Sequence, residues 1–426
     1  MFMITLIVLL VLMFLGVPVF FSMLFSSTGL LITGNASIEE IAYFAIYKTM
    51  NVSNVPILLC LMTGLICFEG KLTERFFNIF SYFFGKRHTF RPVMCVLITV
   101  LFGFISPSAT AATALAAGMF LPVLICTGYT PGFSAAILMC AASLGFLIPP
   151  SISMRIAVGL ANVMPDVGNM SGLVLGLAGA FILLVYTIIY CIVNEEGDDE
   201  IINAHQEELY KKGFPIVFFE GLLSAVLPII VVIGLTTHKF SSGRASAFSV
   251  MYAIIVSTVF FKTLTFVECI NVIKNGLRKV APLLVILFAG NFLSACLEKL
   301  DAVKILSDYI HMAGSNRYLA TFIIFSALFV LGMFMDSVDA CYMLLPSVLP
   351  AAFMAGIEPY HLLTGLVGFE SIGLMTPPVG IALYAMLSIS GIKFWEVFKN
   401  LIIPLLLFIV LFLAFTLFPE ITPFIK

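Results

Sequence analysis

Gly145-Phe146-Leu147-Ile148-Pro149-Pro150 and Gly373-Leu374-Met375-Thr376-Pro377-Pro378 decide how this chain folds. Each lies inside a long apolar stretch, Ala135–Gly159 and Leu362–Leu387. Proline removes a backbone donor and clashes with the carbonyl one turn back, so two adjacent prolines unwind a helix and leave carbonyls free. In hydrocarbon, free carbonyls are costly unless something positive takes them up. The two stretches are one element used twice. Gly373 follows Gly145 by 228 residues, and the same interval separates Pro149 from Pro377, Pro150 from Pro378, Pro122 from Pro350, Gly128 from Gly356 and Pro131 from Pro359.

Composition sets the solvent. Of 426 residues, 61% are hydrophobic and 10% charged, with a mean hydropathy of +1.15. A soluble domain carries about 25% charged residues, so lipid must cover this chain. A net charge of -2 argues against a nucleic-acid partner. The opening stretch has no basic n-region and no small-residue cleavage site, and reads as a span, not a signal peptide. Expected spans are Ile4–Thr33, Val55–Phe68, Met170–Val193, Phe214–Thr236, Ala245–Phe261, Ala281–Cys296 and Leu401–Phe418. Glu74–Arg87 and Thr265–Lys279 read as amphipathic pieces at the membrane interface. The nine cysteines form no C-x-x-C pair and read as small core residues, so neither a disulfide nor a transition-metal site is expected.

Outward from the broken helices lie two interrupted apolar regions. Met94–Ile125 carries Ser106-Pro107-Ser108-Ala109-Thr110, and Phe322–Met354 carries Asp336-Ser337-Val338-Asp339. Each is too long for one span and too short for two, which predicts a re-entrant helical hairpin with a polar tip shielded from lipid. The expected fold is an all-α polytopic membrane protein with an inverted repeat, two re-entrant hairpins and two Pro-Pro broken helices. The first repeat covers residues 1–196, with a hairpin at 92–126 and a broken helix at 132–164. A linker with the start of the joining span covers 197–228. The second repeat covers 229–426, with a hairpin at 318–355 and a broken helix at 360–390. Five spans between the hairpins place them on opposite sides, and the basic loops put the N-terminus in the cytoplasm and the C-terminus outside. Asn194–Gly213 reads as a solvated linker helix. His361 reads as a solvated turn residue and Trp395 as an interfacial anchor.

Hairpin tips meeting broken helices near the midplane would gather carbonyl and hydroxyl oxygens, which suit an alkali cation. The same meeting brings helix N-termini, which suit a carboxylate. The pattern points to a cation-coupled carrier of an anion. Cation ligands are expected from Ser106, Ser108, Gly145, Ile148 and Pro150 in the first half. The second half supplies Asp336, Gly373, Thr376 and Pro378. Ser108 and Asp336 share the repeat interval. Substrate contacts are expected among Arg155, Ser143, Ser151, Asp339 and Glu370. Arg155, inside an apolar helix, has three readings: a bidentate grip on a substrate carboxylate, a structural pair with Asp336, Asp339 or Glu370, or a side chain reaching the membrane surface. Five histidines, with neither H-E-x-x-H nor G-x-S-x-G, argue against an enzyme.

These residues carry a family resemblance. F-I-S-P-S-A, G-Y-T-P and G-F-L-I-P-P-S-I-S-M in the first half resemble the large membrane subunit of TRAP (tripartite ATP-independent periplasmic) transporters, the DctM-like family. So do L-G-M-F-M-D, G-I-E-P and I-G-L-M-T-P-P-V-G in the second half, and Leu15–Val19 near the start. The resemblance implies a bacterial inner-membrane symporter that couples carboxylate import to Na+, without other cofactors. It also implies a periplasmic substrate-binding protein, a small four-helix membrane subunit, and an elevator mechanism in which a block of hairpins and broken helices carries the site across. Sodium is implied where each hairpin tip faces a broken helix. The chain departs from the family pattern at Pro107, Ala112, Ala141, Ala142, Arg155 and Ser337-Val338, which implies a divergent substrate.

Overall fold

The computed structural model describes residues 8–9, 11–12, 15, 17, 19–34, 37–49, 55–84, 89–105, 108–148, 151, 153–154, 157–158, 165–236, 242–299 and 316–418. Among the described residues every regular element is helical. The first four helices are α1 (Val19–Gly34), α2 (Ile38–Thr49), α3 (Val55–Glu69) and α4 (Leu72–Phe84). Next come α5 (Phe90–Ile105), α6 (Ala109–Met119), α7 (Leu121–Cys126) and α8 (Pro131–Leu144), the last running into a tight 3-10 turn at Gly145–Leu147. The middle of the chain holds α9 (Pro165–Val193), α10 (Asp199–Lys212), α11 (Phe214–Thr236) and α12 (Ser242–Ile255), which ends in a π turn at Val256–Phe260. The rest forms α13 (Phe266–Lys299), α14 (Arg317–Gly332), α15 (Ser337–Met354), α16 (Pro359–Met375), α17 (Ile381–Ser390) and α18 (Phe394–Leu417).

Element bounds recur at the interval read from the prolines. α8 begins at Pro131 and α16 at Pro359; α6 begins at Ala109 and α15 at Ser337. Single hydrogen bonds recur too. Ala112 N–H donates to Ser108 O and Ala340 N–H to Asp336 O, both at 3.1 Å. Gly128 N–H donates to Ile125 O at 3.1 Å and Gly356 N–H to Phe353 O at 3.0 Å. Gly128 (φ +87) and Gly356 (φ +73) both take the left-handed conformation that lets the chain turn sharply after α7 and α15.

α5 packs on α6, and α14 on α15. Each has a first arm of 16 residues, about 24 Å, short of the roughly 30 Å hydrocarbon core. Among the described residues three helical stretches are long and apolar enough to cross a membrane. Gly172–Val193 and Phe394–Leu417 are 44% and 39% buried, whereas Ala109–Cys126 is 83% buried and so is covered by protein, not lipid. The sequence of α6, ATAATALAAGM, explains this: small side chains let backbones approach. At Gly64 on α3, an added Cβ would stand 2.9 Å from Leu115 O and 3.0 Å from Gly118 Cα.

Several expectations need correction. Ile4–Thr33 is not one helix: Val8, Leu9, Val11 and Leu12 are helical, Leu15 lies in a turn, and a new helix starts at Val19. Pro18, at that restart, has no N–H to offer an intrahelical bond. Helix α2 was not anticipated, because Glu39, Glu40 and Lys48 interrupt its apolar run. Thr265–Lys279 is not a separate interfacial piece; it continues into the apolar stretch as α13, 34 residues or about 51 Å long. Asn194–Gly213 does form a helix, α10, but Ile202, Gln206 and Leu209 are buried where it packs on α4 and α11. His361 lies in the first turn of α16 and is 4% exposed, its ring 4.5 Å from Phe415 and 5.4 Å from Phe325. Trp395 is exposed at the start of α18.

A hydroxyl-rich meeting of hairpin tips and broken helices

The broken helices lie against each other: α8 and its 3-10 turn both pack on α16. The helix that follows each broken helix as a whole crosses to the opposite partner, α9 on α16 and α18 on α8. Phe133 of α8 stacks on Tyr190 of α9 at 4.2 Å. Tyr190 Oη also donates to Asn400 Oδ1 of α18 at 2.6 Å.

Both breaks have the same local form. α8 ends at Gly145, whose carbonyl accepts from Ile148 N–H at 3.1 Å; α16 reaches Gly373, whose carbonyl accepts from Thr376 N–H at 3.0 Å. Ile148 (φ -85, ψ 119) and Thr376 (φ -93, ψ 130) are then extended. Extended backbone stops the helical ladder and leaves the preceding carbonyls without intrahelical donors. The glycines serve packing as well. An added Cβ at Gly145 would stand 2.5 Å from Gly103 Cα and Val100 O, and one at Gly373 would stand 2.4 Å from Phe329 O. Only glycine lets each break press on the first arm of its hairpin.

The hairpin tips meet. Ser108 is the N-cap of α6, in extended conformation and 6% exposed. Its Oγ accepts from Ala111 N–H at 3.2 Å and donates to Asp336 Oδ2. Asp336 Oδ1 accepts from Ala109 N–H, and Oδ2 from Thr110 Oγ1, both at 3.3 Å. Asp336 O is the acceptor that starts α15. The carboxylate therefore faces the positive end of α6, an arrangement that stabilises negative charge.

Of the expected cation ligands, Ser108 and Asp336 come together at the tips. Gly145, Ile148, Gly373, Thr376 and Pro378 stand at the two breaks. Thr376 Oγ1 donates to Ile372 O at 2.6 Å, leaving its lone pairs as acceptors. Ser106 and Pro150 lie outside the described residues, as does Arg155, so its three readings stay as stated. Among the expected substrate contacts, Ser143 Oγ is fully buried without a hydrogen-bond partner among the described residues. Ser151 Oγ accepts from Met154 N–H at 3.2 Å and caps the next helical piece. Asp339 lies in the first turn of α15, and its side chain is outside the described residues. Glu370 is fully buried; its Cα and Cγ lie 2.8 and 2.9 Å from where a Cβ on Gly332 of α14 would stand. Glu370 therefore lies where α16 meets α14.

Sequence reading passed over two groups. Thr110 joins Asp336 at the tip, and its place beside Ser108 was the only signal. Gly380 (φ +51) folds the chain back so that its Cβ position lies 2.9 Å from Thr376 O and 3.0 Å from Leu374 O. The second break thus points two carbonyl oxygens towards one place.

Fold and site together define a polytopic, all-helical membrane protein. The family model "Tripartite ATP-independent periplasmic transporter, DctM component" matches residues 6–421, so the chain belongs to that family: it is a transport protein, not an enzyme, and one component of a three-part system. It is similar to the sialic acid TRAP transporter large permease protein SiaM of Vibrio cholerae, 27% identical over 96% of this chain and 95% of that protein. It is also similar to the C4-dicarboxylate TRAP transporter large permease protein DctM of Pseudomonas aeruginosa, 25% identical over 85% of this chain and 83% of that protein. A third relative, the 2,3-diketo-L-gulonate TRAP transporter large permease protein YiaN of Escherichia coli, is 24% identical over 84% of this chain and 83% of that protein.

Proposed function

We propose that this chain is the large subunit of a sodium-coupled importer of an organic acid. The observation that carries the reading is the meeting of Ser108 and Asp336, which brings two helix N-termini and several hard oxygens to one place. Sialic acid, C4-dicarboxylates and diketogulonate, the compounds in its relatives' names, are all carboxylates, which favours a carboxylate here. Sodium sits at each break: with Ser106, Ser108, Gly145, Ile148 and Pro150 in the first half, and with Asp336, Gly373, Thr376 and Pro378 in the second. Substrate contacts come from Arg155, Ser143, Ser151, Asp339 and Glu370.

The two halves, 1–196 and 229–426, are inverted copies joined through 197–228, and both hairpins are re-entrant. Five crossings, at α8 with its continuation, α9, α11, α12 and α13, favour the inversion. The N-terminus faces the cytoplasm of a bacterial inner membrane and the C-terminus the periplasm. In support, Thr263 Oγ1 donates to Gly70 O at 2.9 Å, which sets the neighbouring Lys71 and Lys262 in one layer, as the positive-inside rule requires of cytoplasmic lysines. A small four-helix subunit and a periplasmic binding protein complete the assembly. The block of α5–α8 and α14–α17 moves as an elevator.

Reconstitution with candidate binding proteins, with uptake measured with and without a sodium gradient, tests the reading. Uptake should need both the cognate binding protein and inward sodium. Accumulation that ignores sodium would sink the coupling.

A further inference from the structure

Glu196 lies just past α9, in the segment joining the halves, and is 6% exposed. Its carboxylate accepts two hydrogen bonds from one residue: Thr130 N–H donates to Oε2 at 2.7 Å and Thr130 Oγ1 to Oε1 at 2.8 Å. Thr130 is the N-cap of α8. A threonine there ordinarily turns its oxygen onto N–H groups of its own helix. This one makes no such bond, and its hydroxyl is donated outward to Glu196.

The contact continues on both sides. Asp198 N–H donates to Thr127 O at 3.0 Å. A Cβ on Gly128 would stand 2.6 Å from Asp198 N. Asp198 Oδ1 then caps α10, accepting from Glu200 N–H at 2.9 Å and Ile201 N–H at 3.3 Å. The body of α10 rests on α4, where Gln206 Nε2 donates to Ser81 O at 3.4 Å and Tyr210 meets Tyr82 edge-on at 5.0 Å. The linker helix is thus held at its start by the turn before α8 and along its length by α4. The second half offers an internal comparison: at the place of Thr130 stands Glu358, an exposed N-cap that makes no side-chain capping bond.

We propose that Glu196 is a positioning residue for transport, which locks the start of α8 to the linker and so sets where the far end of α8 stands. That far end is the Ser143–Ile148 stretch, and the proposal rests on its place in the transport site. Glu196 acts through α8 and touches neither ion nor substrate.

Hydrogen exchange of the purified full-length chain in nanodiscs tests the lock. In Glu196→Ala, exchange at residues 127–133 and 196–201 rises together, by about tenfold or more, while α18 is unchanged. Thr130→Val gives the same paired rise, and the double variant adds nothing to either single change. In proteoliposomes Glu196→Ala lowers the maximal uptake rate while the substrate half-saturation moves by less than about twofold, and Glu196→Gln, still able to accept one bond, recovers part of the rate. A rise confined to 196–201, additive effects in the double variant, or an unchanged uptake rate overturns the proposal. If Glu196→Ala does not fold, Thr130→Val settles the same question with the acid in place. Exchange needs neither sodium nor substrate, so its failure is distinguishable from failure of the coupling reading, whose sign is sodium-independent uptake.

Discussion

Ser108 and Asp336 occupy the same position in the two halves of the chain, and they touch. The contact also brings the starts of α6 and α15 together, and the negative charge of Asp336 answers the positive end of α6. Asp336→Asn keeps the shape and removes the charge. Both Asp336→Asn and Ser108→Ala should lower uptake, and a double-mutant cycle on uptake should show non-additivity of about 0.5–3 kcal/mol. Strict additivity would mean that the tips act separately.

Gly145 and Gly373 should not tolerate a side chain. The added methyl would press on Gly103 Cα in one half and Phe329 O in the other, each inside 2.6 Å. Gly145→Ala and Gly373→Ala should each destabilise the protein by about 1–3 kcal/mol, through overpacking against backbone that cannot turn aside. Thermal unfolding in detergent measures this. An unchanged midpoint in both would show that the hairpin arms can move away.

Gly128 and Gly356 separate strain from contact. Both have positive φ, but a Cβ at Gly356 meets nothing within 4 Å, while one at Gly128 stands 2.6 Å from Asp198 N. Gly356→Ala should cost only the left-handed penalty of about 1–2 kcal/mol. Gly128→Ala should cost measurably more. Equal losses in the same unfolding assay would contradict the packing of the linker against that turn.

Thr376 offers a test of the second break. Its hydroxyl donates to Ile372 O, so its lone pairs face outward from that bond. Thr376→Val should raise the sodium concentration for half-maximal uptake, and Thr376→Ser should restore it. If Val and Ser behave alike, the hydroxyl is no ligand, and the backbone carbonyls of Leu374 and Thr376 are the oxygens to pursue.

Where the helices break was legible in the sequence because proline and glycine act locally. Pro149-Pro150 and Pro377-Pro378 mark ends of helices by what their own backbone lacks. Even so, α2 and the full length of α13 were not legible, because Glu39 and Glu40 in the one, and Lys274, Arg278 and Lys279 in the other, interrupt the apolar run that marks a span while the helix continues through them. His361 was misread for the same reason in reverse: a polar residue after a turn, buried by aromatic rings from α14 and α18 that are remote in sequence.

By itself, then, the sequence determined the solvent, the helical character, the interval of the duplication and the places where helices stop. Each follows from composition or from the conformational limits of single residues. Only the tertiary structure decided that Asp336 reaches across to Ser108, Ala109 and Thr110, and that Glu196 takes the hydroxyl of Thr130. A hydrogen bond depends on an ångström-scale approach of groups far apart along the chain. That approach is set by how all the helices pack, which no local pattern encodes.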